Sequence, residues 1–179
     1  CCRLEAGAPQ SYNFAMKQHA GWRSRGYLPH CDSATLVQHI TIATIGPPSG
    51  VEANFGLNLL AGPDAASIVQ NAFLHFDAER YRLLAWCVMP NHAHVIVEQL
   101  DGWPLSDVVH SWKSFTANRI NRALGRTGPV WLREYYDRFM RDNDHLATTI
   151  AYVETNPVDA GLAPRPEDWP WSSAHHPAE

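Results

Sequence analysis

Tyr81–Glu98 reads YRLLAWCVMPNHAHVIVE, and this stretch decides the fold. An apolar run, Tyr81–Met89, meets Pro90-Asn91. Both residues form turns, one through a fixed φ and the other through a side chain that bonds nearby backbone. The chain resumes as His92–Glu98, rich in β-branched residues, so the stretch predicts a β-hairpin. Successive strand residues point to opposite faces. His92 and His94 therefore project together, while Ala93, Val95 and Val97 face the other way.

Upstream, LVQHITIATI (Leu36–Ile45) predicts another strand, stopped by Gly46-Pro47-Pro48. Residues 46–63 read as a loop. From Asp64, taken as an N-cap, Ile68, Val69, Ala72, Phe73 and Phe76 recur at amphipathic-helix spacing. Downstream, Leu105–Leu124 predicts a helix that buries Val108, Val109, Trp112, Phe115, Ile120 and Ala123 and ends at the C-cap signal Gly125. VWLREYYDRFMR is compatible with strand or loop. Asp142 or Asn143 caps a last helix expected to run to about Thr155 and stop at Pro157. Trp169 and Trp171 in the tail are expected to dock, because paired tryptophans gain from leaving water. Residues 1–30 show no period and read as arm or coil, with residues 1–25 unassigned and 26–179 a single domain. Three or more strands with about three helices give an α+β class, an antiparallel sheet flanked by helices.

Composition narrows the function classes. The 179 residues are 45% apolar and 18% charged, which excludes a disordered chain. No run approaches the roughly 18 apolar residues of a membrane span, so no membrane association is expected. No secretory leader is visible, and the start at Cys1 suggests a truncated or altered beginning. Cys1, Cys2, Cys31 and Cys87 form no C-x-x-C pair, Cys87 reads as a buried small hydrophobe, and a cytoplasmic location is expected. The net charge is −4. Between positions 113 and 141, however, Lys113, Arg119, Arg122, Arg126, Arg133, Arg138 and Arg141 face only Glu134 and Asp137. Such a surplus predicts a surface for an anionic ligand.

Two side-by-side neutral imidazoles, His92 and His94, can take a divalent ion but need further ligands. The last helix offers candidates. Leu146, Ile150 and Val153 make its apolar stripe, and His145, Thr148, Tyr152 and Asn156 fall roughly opposite. Tyr152 and Asn156 are four apart and share a face. An Asn carbonyl is a hard oxygen ligand suited to Mg²⁺ or Mn²⁺.

Together, WCVMPNHAHVIVE, SWKSFTANRINRALGRTGPVWLREYYDRFMRD, YVETNPVDAGLA and DWPWSSA resemble the REP-associated tyrosine transposases, single-tyrosine His-x-His (HUH) enzymes acting on single-stranded DNA. The likeness runs from about Gly26 to Ala174; residues 1–25 have no counterpart in it. It implies a ferredoxin-like, RRM-like antiparallel sheet flanked by helices. It also implies His92, His94 and Asn156 as ligands of Mg²⁺ or Mn²⁺ and Tyr152 as nucleophile. The implied substrate is a hairpin formed by a palindromic repeat, cut through a 5′-phosphotyrosine by a monomer or a homodimer. Lys113, Arg119, Arg122, Arg126, Arg133 and Arg138 would meet phosphates. Trp112, Trp131, Tyr135 and Tyr136 are candidate stacking surfaces, with the tyrosine pair the strongest. A histidine-triad hydrolase is disfavoured because position 96 is Ile96. A larger replication nuclease needs more chain than this. The remaining alternative is a domesticated hairpin-binding regulator without turnover.

Overall fold

The computed structural model describes residues 21–24, 29–32, 36–46 and 56–176. Two short strands, β1 (Gly21–Ser24) and β2 (Pro29–Asp32), pair as an antiparallel ribbon. Part of the stretch read as coil is therefore extended and paired, and the ribbon crosses the boundary expected near residue 25. Residues 1–20 of the expected arm lie outside the described residues.

The main sheet is built from β3 (Val37–Ala43), β4 (Tyr81–Val88), β5 (His92–Gln99) and β6 (Tyr136–Phe139), in spatial order β4-β5-β3-β6 and antiparallel throughout. Helix α1 (Pro63–His75) joins β3 to β4, and α2 (Leu105–Ala123) joins β5 to β6. This βαββαβ order, with the first and third strands central, is the ferredoxin-like arrangement. The hairpin and the first strand form as predicted, and the undecided VWLREYYDRFMR supplies the edge strand β6.

The alternation along β5 divides the molecule. Ala93, Val95 and Val97 join Ile40, Ile42, Val69, Phe73, Val108, Val109 and Trp112 in the larger core, under α1 and α2. Trp112 sits at its centre, edge-on to Phe73 and Tyr81 at 5.0 Å each, its indole N–H donating to the Tyr81 hydroxyl at 3.0 Å. Ile96 faces the other way and packs with Val37, Ala85, Cys87, Met140, Leu146 and Val153, beneath helix α3 (Asn143–Asp159). A bulge between Leu83 and Ala85 shifts the phase of β4, so Leu83 and Trp86 both serve the larger core.

Four local expectations need correction. Asp64 is not the N-cap of α1; Gly62 holds that place, and Asp64 lies in the first turn, where its charge meets the helix dipole. Phe115 and Ala123 are exposed, because α2 buries a narrower stripe of Val108, Val109, Trp112 and Ile120. Trp131 is buried and donates to the Thr116 hydroxyl at 2.9 Å, so like Trp112 it is unavailable for stacking. Finally, Pro157 does not stop α3. The helix runs to Asp159, with Pro157 buried, and closes in a Schellman turn at Gly161 (φ +69°). There Gly161 N–H donates to the Val158 carbonyl and Leu162 N–H to the Pro157 carbonyl. Burial of the ring offsets the one helical hydrogen bond that proline forfeits.

At the other end, the Asp142 carboxylate accepts the His145 N–H at 2.7 Å, as its N-cap position predicts. The tail docks as expected. Trp169 donates to the Val88 carbonyl at 2.9 Å, and Val88 N–H donates back to the Trp171 carbonyl at 2.9 Å.

Candidate active site

The open face of the sheet carries a cleft of about 910 Å³ between the β4–β5 turn, β3 and α3. His92 and His94 line it from β5, Tyr136 from β6, and Tyr152 and Asn156 from α3. The structure therefore gathers the two histidines, the tyrosine and the asparagine within one chain. The Tyr152 ring centroid lies 5.6 Å from that of His94, edge-on, and the phenol is 49% exposed. Such exposure leaves a hydroxyl open to a ligand. Tyr81 is the opposite case: 1% exposed, its hydroxyl donates to the Phe73 carbonyl at 2.7 Å and burial pushes its ionisation up.

The imidazoles are tightly constrained. His92 Nε2 and His94 Nε2 approach to 3.1 Å. His92 Nδ1 meets the Asn91 side-chain oxygen at 2.7 Å, and because that oxygen only accepts, Nδ1 carries the proton and Nε2 a lone pair. His94 Nδ1 lies 3.0 Å from both His39 Nε2 and Thr41 Oγ1. Burial, reinforced by His92 and His39, pushes His94 down to about 3. Burial, with Arg138 and His145, pushes His39 down to about 4, and burial also lowers His92. All three rings are therefore neutral at pH 7, as metal ligation requires.

The donor set fits a divalent cation. Cis ligands of an octahedral ion with bonds near 2.1 Å are about 3.0 Å apart, close to the observed separation of the two Nε2 atoms. Among the described residues, no group of three His, Cys, Asp or Glu could hold a metal. Half-buried Asn156 lines the same cleft, and its amide is an oxygen donor that a cation there could use. His92, His94 and Asn156 would be three ligands of such an ion, fewer than a closed structural zinc site supplies.

The basic residues divide. Arg138, exposed on β6, pairs in register with His39 and so sits beside the cleft. Arg133 is exposed in the segment leading into β6. Arg119 and Arg122 are exposed on α2, the helix that covers the opposite face of the sheet, and Arg119 lies 5.2 Å from the Phe115 ring. Lys113 is engaged internally: its ammonium donates to the carbonyls of Leu132 at 2.6 Å and Arg133 at 2.8 Å. Arg126 donates to the Pro129 carbonyl at 3.1 Å. The tyrosine pair also splits. Tyr136 is 67% exposed at the cleft, whereas Tyr135 packs against the larger core. Sequence reasoning missed His39, Thr41 and Asn91. The alternation of Leu36–Ile45 puts His39 and Thr41 on one face, but only the pairing of Thr41 with His94 identifies that face.

Fold and cleft together define a ferredoxin-like protein with paired strand histidines facing a helical tyrosine. A profile of the family described as "Transposase IS200 like" matches residues 64–156, just over half of the chain. The chain belongs to that family. A curated relative from Haemophilus influenzae, provisionally named a REP-associated tyrosine transposase, is 27% identical over a match covering 53% of this chain and 60% of the relative. The chain thus spans less than two-thirds of that relative's length. A solved structure described as a REP-associated tyrosine transposase bound to a REP hairpin superposes with a TM-score of 0.62 at 20% identity. It covers 86% of this chain and 83% of its own, and bears out the predicted fold. Among the described residues, no helix is long and apolar enough to cross a membrane.

Proposed function

We propose that this chain cleaves and rejoins single-stranded DNA beside hairpins of palindromic repeats, with Tyr152 as nucleophile. The observation carrying the reading is the Tyr152 ring 5.6 Å from His94, in the cleft that Asn156 also lines. The Tyr152 oxygen attacks a backbone phosphorus, loses its proton and forms a 5′-phosphotyrosine. The bond to the 3′ oxygen breaks, and that oxygen leaves as a 3′-hydroxyl. The covalent ester retains the phosphodiester bond energy, so the reverse attack by a 3′-hydroxyl rejoins a strand without ATP. His92, His94 and Asn156 would hold Mg²⁺ or Mn²⁺. When bound, such an ion polarises the phosphate and stabilises the charge that develops on its oxygens. Asn91 keeps the His92 lone pair aimed into the cleft.

Tyr136 offers an exposed ring for an unpaired base, with Arg133 and Arg138 for adjacent phosphates. Arg119 and Arg122 give α2 a second exposed basic surface, on the other side of the sheet, for phosphates of the hairpin stem. Lys113 and Arg126 contribute by holding the loop between α2 and β6. The REP hairpin bound in the similar solved structure supports this substrate.

The decisive experiment incubates the chain with a hairpin labelled at its 3′ end and Mg²⁺ or Mn²⁺. A labelled protein adduct that survives denaturation is expected, and Tyr152→Phe should abolish it, a loss of at least about a thousandfold. Hairpin retention with no adduct in the unaltered chain would instead identify a regulator without turnover.

A further inference from the structure

Metal-binding imidazoles are governed by what their second nitrogen does. His92 has a defined partner for Nδ1 in Asn91. His94 has two neighbours there, His39 Nε2 and Thr41 Oγ1, each at 3.0 Å, and two proton arrangements are open to it. In one, His94 carries its proton on Nε2 and shares it with His92 Nε2 across 3.1 Å. In the other, the proton moves to Nδ1 and both Nε2 lone pairs face the same point. No proton is gained or lost between them. The second arrangement needs an acceptor for Nδ1–H. A hydroxyl is an ambiguous one, because it rotates and donates as readily as it accepts.

We propose that His39 is the positioning residue for the cation site: its Nε2 accepts the Nδ1–H of His94 and so holds His94 in the tautomer whose Nε2 faces the ion. This rests on the cation-dependent reading above, and the experiment separates the two. Several observations converge on His39. It is half-buried on a β-branched strand, its ring centroid is 5.1 Å from that of His94, and it reaches His94 from a neighbouring strand. An imidazole that holds its proton on Nδ1 presents a lone pair on Nε2, the atom of His39 that lies 3.0 Å from His94 Nδ1. The Tyr152 ring is 6.3 Å from it, edge-on. His39 thus lies behind the candidate ligand pair as a fixed acceptor.

The test uses the full chain and Mn²⁺ alone, followed by loss of the electron paramagnetic resonance signal of the free aquo ion. His39→Phe keeps a ring and deletes the acceptor, and should weaken Mn²⁺ binding tenfold or more, in the range of about 10–100-fold for such outer partners. His39→Gln places an amide oxygen where Nε2 was and should restore most of the affinity. Long-range proton–nitrogen spectra of the unaltered chain with Mg²⁺ should show His94 protonated at Nδ1, a readout that needs no variant. Equal affinity in the unaltered chain and His39→Phe overturns the assignment and leaves the cation site standing. So does a loss that His39→Gln fails to restore, a larger loss in Thr41→Val, or an unprotonated Nδ1 with Mg²⁺. If the unaltered chain binds no Mn²⁺, both readings fall.

Discussion

The two faces of β5 alternate residue by residue yet have opposite physics. Ala93, Val95 and Val97 enter a sealed core in which Trp112 and Tyr81 have mutual hydrogen-bond partners and almost no exposure. His92 and His94, one residue out of phase, enter a cleft beside a half-exposed tyrosine. The apolar face is covered by two helices, whereas α3 covers only part of the other and leaves the end near the β4–β5 turn open. A rigid back layer thus holds the strands, while buried but neutral imidazoles are presented at the front. Stability and chemistry are separated by the period of the strand rather than by distance along the chain.

That division can be broken from either side. Trp112→Ala removes the centre of the closed face and should cost about 3–5 kcal/mol, read as a lowered urea midpoint. Tyr152→Phe, which deletes a hydroxyl from a half-exposed ring, should change the same midpoint by less than about 0.5 kcal/mol while eliminating the adduct. Comparable destabilisation by the two would show that the faces are not energetically distinct.

Acid probes the open face with a smaller effect. An unfolded histidine has its ordinary value of 6.5, whereas folded His39 lies at about 4. Between those values the unfolded chain binds a proton that the native chain refuses. Stability is therefore complete above pH 6.5 and falls as the pH drops toward 4, by on the order of 1–3 kcal/mol. Urea midpoints from pH 7 to pH 4 should show the decline, and His39→Gln should lessen it, the remainder coming from His94 and His92, whose values burial also lowers.

The smallest effect concerns Lys113. Because its ammonium is held by the Leu132 and Arg133 carbonyls, Lys113→Met should cost about 1 kcal/mol of stability. It should leave the salt dependence of hairpin binding unchanged, whereas Arg138→Ala should lower that slope by about one. Equal slopes for the two variants would place Lys113 back among the phosphate contacts.

Much of this was legible from the residues. The hairpin, the shared face of His92 and His94 and the opposite face of Ala93, Val95 and Val97 follow from a period of two and a Pro-Asn turn. The cap at Asp142 and the stop at Gly125 follow from local backbone chemistry. Phe115 was misplaced because helical spacing alone does not tell how wide a stripe its partner surface can cover. The end of α3 was misplaced because a proline's local cost is visible in sequence, whereas the compensating burial of its ring is not.

What the sequence by itself determined is the local part: which residues alternate, where turns fall, and which side chains share a face of one element. Those outcomes depend on sterics and hydrogen bonds within a few residues. Only the tertiary structure decided which face of β3 meets His94, which of Tyr135 and Tyr136 enters the cleft, and that Lys113 serves a loop. Each depends on strand register and on competition for buried space between segments far apart in the chain, and no local window contains that information.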